Sequence, residues 1–201
     1  MKILAKNFLA LFFTVALSDS FSEELETLLR ESFRDKGQSS VERLVQDKVQ
    51  NLCSAPRDAI LDDLAMRDVR EASMGGIVFP KRGNFLGDWR EGKKVASNGK
   101  GLQSTDDPSK PNGGNCYACH QLDPTEIAYG NLGPSLSNYG ARGRSEPMLR
   151  YTWTKLWDTH AYNVCSHMPR FGAKGILTEK QLKDVMAYLF DPESPVNRKL
   201  Q

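Results

Sequence analysis

Apolar residues enter this chain first as a block and then as stripes. Phe8–Leu17 reads FLALFFTVAL behind a basic start with Lys2 and Lys6. Ten such residues are too few to cross a bilayer, which takes about twenty, so the pattern predicts a secretory leader over residues 1–18, with small residues Ala16 and Ser18 near the cut. The stripes that follow have helical spacing. Leu25, Leu28, Leu29 and Phe33, behind Ser22 and its acidic neighbours, predict a helix that stops at Gly37. Val41, Leu44, Val45, Val49, Leu52 and Cys53 predict a second, opening at Ser39 or Ser40 and closed by Pro56. A third is predicted from about Arg57, with Ile60, Leu61, Leu64 and Met66 as its buried positions. Gly75–Pro80 (GGIVFP) reads as a turn-rich linker, and the polar run Ser97–Gly114 as a solvent-exposed loop. Near the end, Thr178 and Gln181 form a capping box ahead of Leu182, Val185, Met186, Leu189 and Phe190, a helix ended by Asp191-Pro192.

Charge and cysteine count narrow the class of protein. The formal net charge of the 201 residues is +2, and Lys2 and Lys6 of the leader supply it. Without the leader the chain is balanced, which argues against a nucleic-acid binder held by net charge. Between residues 19 and 80 there are 8 basic and 13 acidic side chains, read as a solvated face. There are four cysteines. An exported chain keeps its thiols in an oxidising compartment, so those without other employment are candidates for a disulfide.

The chemistry centres on Cys116-Tyr117-Ala118-Cys119-His120. C-x-x-C-H is the attachment pattern of a c-type haem: two thiols two residues apart reach both vinyl groups of one porphyrin, and the adjoining imidazole becomes the proximal iron ligand. A zinc site would need a second ligand pair, and a thioredoxin-like site a βαβ setting, neither of which the pattern supplies. One covalent haem is therefore expected on Cys116 and Cys119 with His120 as ligand. Cys53 and Cys165 remain, and are expected to pair. A sixth ligand must come from downstream, where Cys165, His167 and Met168 lie together, while His160 is expected as a surface histidine.

Several segments resemble the class I cytochromes c. Gly87-Asp88 to Ala96 is similar to that family's first helix, with Gly92 where two helix backbones approach and Ala96 where an aromatic is usual. Gly133-Pro134-Ser135-Leu136 resembles the element whose proline carbonyl receives the proximal imidazole Nδ1–H. Met168-Pro169-Arg170-Phe171-Gly172 resembles the loop that offers a methionine thioether to iron, which favours Met168 over His167 and Cys165. The resemblance implies an all-α fold: a cytochrome c domain over 82–192, a helical extension over 19–81 and a short tail over 193–201.

Taken together with Val49-Gln50-x-x-Cys53-Ser54 and the residues flanking the haem motif, these segments resemble the SoxX family, monohaem subunits of bacterial SoxAX complexes. That resemblance implies a periplasmic, electron-accepting and itself non-catalytic subunit. Its partner would be a SoxA-like cytochrome, in a heterodimer with L-cysteine S-thiosulfotransferase activity that couples thiosulfate to a cysteine of a SoxY-type carrier. A downstream cytochrome would take the electrons. The alternative is a free-standing diffusible carrier. From Ser135 to Gly175 there are six basic and two acidic residues, and Arg142, Arg144 and Arg170 are expected to line the docking face.

Overall fold

The computed structural model describes residues 23–54 and 63–198. The leader expected over 1–18, the start of the third expected helix at Arg57–Leu61, and the last three residues of the tail lie outside the described residues. The fold is all-α. Among the described residues the sole β feature is an isolated bridge between Lys36 and Ser39. The chain divides into two compact units, the first ending at Gln46 and including Gln103–Asp106, the second formed by the remainder.

In the first unit, α1 spans residues 23–32. Its stripe does not form a buried face: Leu25, Leu28 and Phe33 are exposed, each by nearly half or more. Its contacts are ionic instead, between exposed side chains. Arg30 donates to Glu26 at 2.9 Å, one turn earlier, and to Glu42 at 2.6 Å. The second expected helix is broken in two. Val41–Leu44 forms one 3-10 turn capped by Ser40, and Val45 is extended. The break follows from Asp47, which caps a new helix more effectively than it could extend an old one.

That helix, α2 (Lys48–Cys53), opens the second unit. The Asp47 carboxylate accepts from the backbone N–H of Val49 and Gln50, while the Gln50 side chain accepts from the Asp47 N–H. Next comes α3 (Asp63–Gly75), which packs on the turn at Thr159–Ala161. Leu64, expected inside, is 59% exposed, while Met66 and Val69 are half-buried. The expected linker is held fast. The Trp153 indole N–H donates to Val78 O at 2.9 Å and that of Trp157 to Gly76 O at 3.1 Å. Both tryptophans belong to α5 (Glu146–Trp157), a helix the apolar pattern did not announce because Thr152, Trp153 and Thr154 are buried together and blur its periodicity.

The core is built around the crossing of α4 (Trp89–Ser97) and α6 (Glu179–Phe190). Gly92 makes the crossing close: a Cβ there would overlap the Asp184 carbonyl and lie 2.8 Å from the Tyr188 Cβ. Ala96 is fully buried, so a small residue fills the position where the family places an aromatic. Asp184 is itself a junction, accepting the Asp88 N–H at 2.9 Å and the Lys180 ammonium at 2.7 Å. The Thr178 capping box is present as read. Beyond α6 the tail packs back: Val196 is fully buried and its carbonyl accepts the Asn138 N–H at 2.7 Å.

Candidate functional site

Cys116–Ala118 forms one 3-10 turn entered through Asn115 in the left-handed region (φ 46°). The turn is closed by the N–H groups of Cys119 and His120, both donating to Cys116 O, so two cysteines and one histidine project from about one and a half turns of backbone. The approach to this turn is fixed. The polar run before it, expected as a solvent-exposed loop, is one with its end anchored: Gly114 N–H donates to Val95 O at 2.8 Å, and the Asn112 side chain donates to Ile176 O at 3.0 Å. Cys116 and Cys119 are free thiols, whereas Cys53 and Cys165 are joined. Burial pushes the Cys116 thiol up to about 12. The Tyr117 and Tyr188 hydroxyls lie 2.7 Å apart, and burial raises both above the usual phenol range.

His120 is oriented by the segment fourteen residues on. Its Nδ1 lies 2.7 Å from Pro134 O. A carbonyl can only accept, so Nδ1 carries the proton and the lone pair is left on Nε2. Nε2 has no hydrogen-bond partner among the described residues. Gly133 is as important as Pro134, because a Cβ at Gly133 would overlap the ring itself. Its N–H donates to Cys119 O at 2.8 Å, which ties the two segments together. The sequence placed Gly133 in the motif but did not reveal this steric need, which appears only once the ring is positioned.

Cys116, Tyr117, Leu136, Trp157, Met168 and Ile176 are all partly buried against the same core cluster, which brings the downstream methionine to the body that carries the motif. His167 is exposed. His160 corrects the expectation of a surface histidine: it is 6% exposed, its Nε2 lies 3.3 Å from Ser166 O, and its Nδ1 has no partner among the described residues. It lies within the turn on which α3 packs, a contact its local sequence does not announce. The three arginines expected at a docking face also have internal roles. Arg144 donates to Phe190 O at 2.9 Å, Arg142 lies 4.8 Å above the Tyr139 ring, and Arg170 pairs with Asp47 at 2.5 Å.

Residues 90–191 match the cytochrome c family. The chain belongs to that family. A relative from Aquifex aeolicus (strain VF5), named an uncharacterized lipoprotein, is 38% identical over 178 residues, covering 87% of this chain and 83% of the relative. Membership implies covalently bound haem c and a role in electron transfer. Cytochrome c domains are typically extracellular or periplasmic, and no described helix here is long and apolar enough to cross a membrane.

The donor set fits that group. Two thiols outside any disulfide, an imidazole whose Nε2 lone pair is unoccupied, and a thioether packed on the same core are the chemistry a c-type haem requires. Haem supplies a one-electron iron couple. The protein contributes orientation and environment: Pro134 fixes the imidazole tautomer and raises its basicity, and the apolar core lowers the local dielectric.

Proposed function

We propose that this cytochrome is the electron-accepting subunit of a SoxAX-type complex, periplasmic, with one haem attached at Cys116 and Cys119 and ligated by His120 and Met168. Iron closed by two protein ligands has no open position for substrate, so its work is to accept and pass on an electron while a partner performs the chemistry. The partner is a SoxA-like cytochrome, the sulfur substrate is thiosulfate presented to a SoxY-type carrier, and the electron leaves to a further cytochrome.

The observation that supports a subunit over a bare shuttle is Cys53–Cys165. The Val49-Gln50-x-x-Cys53-Ser54 segment, one of those that carry the resemblance, is joined covalently to the turn three residues before Met168. A diffusible carrier needs little beyond its haem edge, whereas here residues well upstream of the cytochrome domain are built into it. The test is purification from the native host, followed by an optical spectrum of what elutes. Co-elution of a second c-type cytochrome, with haem reduction on adding thiosulfate and the carrier protein, is the expected result. Elution alone with no such reduction would favour the free-standing carrier.

A further inference from the structure

The tip of the methionine loop has little to hold it. Among the described residues, His167, Met168 and Pro169 take part in no backbone-to-backbone hydrogen bond, and the single polar anchor there is the Met168 N–H donating to Ser166 Oγ at 3.2 Å. Pro169 has no N–H to give. The restraints lie on either side of the tip, and both come from α2. Cys53, the last residue of that helix, is bonded to Cys165. Asp47, its N-cap, binds Arg170 at 2.5 Å and Lys174 at 3.4 Å. A helix of six residues, about 9 Å long, thus bridges the segment in which Met168 sits at the middle. The ionic end is largely shielded, with Arg170 16% and Asp47 33% exposed at their side chains. A shielded, charge-assisted hydrogen bond is stronger than an exposed ion pair.

We infer that α2 is a strap across the methionine loop and that Asp47, through Arg170, is a positioning residue that keeps the Met168 thioether seated. The inference rests on Met168 being the axial ligand. Opening of the loop then requires one end of the strap to release, and the ionic end is the one that can do so reversibly. Neither Asp47 nor Arg170 would touch the iron, so their effect is on how often the ligand leaves.

The test uses the haem-loaded full chain. Asp47→Asn is the informative change, because asparagine caps helices as well as aspartate does while losing the charge that holds Arg170 and Lys174. Imidazole binding to the oxidised protein reads loop opening, since the added ligand enters only after the thioether leaves. Asp47→Asn is expected to speed that binding roughly tenfold, equivalent to about 1.4 kcal/mol, while retaining the weak sulfur-to-iron absorption in the near infrared. Arg170→Gln should do the same, and the double variant no more than either single one. Met168→Ala separates the layers: it should abolish the near-infrared absorption and bind imidazole fast whether or not Asp47 is intact. An unchanged near-infrared absorption in Met168→Ala would overturn the ligand assignment and the inference with it. A lost absorption in Met168→Ala, with imidazole rates unaltered in both Asp47→Asn and Arg170→Gln, would overturn the strap alone.

Discussion

Replacing Gly92 by alanine sets two effects of opposite sign against each other at the α4–α6 crossing. Alanine is the better helix former, which favours the variant by about 0.5–1 kcal/mol in a helix interior. The new methyl carbon, however, would meet the Asp184 carbonyl carbon at 2.5 Å and the Tyr188 Cβ at 2.8 Å, where ordinary contact begins at 3.4 Å. The Asp184 carbonyl carbon and its oxygen, which lies closer still, belong to backbone, so relief requires the helices to part by about 1 Å rather than a side chain to turn. Overpacking of this kind costs about 1–3 kcal/mol or more. The separation would also disturb the Asp88 N–H to Asp184 bond and the neighbouring Tyr117–Tyr188 pair. A net loss of about 1–2 kcal/mol is expected, read as a thermal midpoint roughly 2–8 °C lower. Gly75→Ala is the matched control, since a Cβ there meets nothing within 4 Å, and it should be neutral or slightly stabilising. A Gly92→Ala midpoint equal to or above the wild type would refute the close crossing.

Reducing Cys53–Cys165 should lower stability by about 4–5 kcal/mol in the chain-entropy model, because the bond closes a separation of 112 residues. Haem thioethers resist mild dithiol reductants, so calorimetry with and without dithiothreitol isolates this bond, and an unchanged midpoint would contradict it. Gly133→Ala should displace the His120 ring from Pro134 and, by weakening ligand basicity, raise the reduction potential in a spectroelectrochemical titration. Burial alone would raise the Asp47 carboxyl, but the Arg170 hydrogen bond, the Gln50 N–H and the nearby cations outweigh it and hold it well below the usual carboxylate range. Its pairing therefore stabilises the fold above about pH 4, the unfolded value. That contribution fades as pH falls toward the folded value, so wild-type and Asp47→Asn denaturation midpoints should converge in acid.

The site was legible where chemistry demands fixed spacing. C-x-x-C-H, Gly133-Pro134 and the Thr178 capping box each depend on residues close in sequence: the first folds as a single turn, the Pro134 carbonyl accepts from His120, and the capping box is formed. The disulfide followed from compartment and parity of cysteines rather than from geometry. What escaped was set by distant contacts. The Leu25, Leu28 and Phe33 stripe has helical period yet stays exposed, since period identifies a helix and not what covers it. Asp47 interrupts the apolar spacing of residues 41–53 because an N-cap with a cationic partner at Arg170 outweighs helix continuity. The α5 helix was hidden by its neighbouring buried threonines, and with it the anchoring of Gly76 and Val78 by two indoles.

The central claim is that this chain carries one haem through Cys116 and Cys119. The most direct measurement is the intact mass of the mature protein after denaturation, which strips any group held by coordination alone. A mass equal to the mature polypeptide plus a single haem is the predicted result. A mass equal to the bare polypeptide, from cells able to attach c-type haem, would contradict the account.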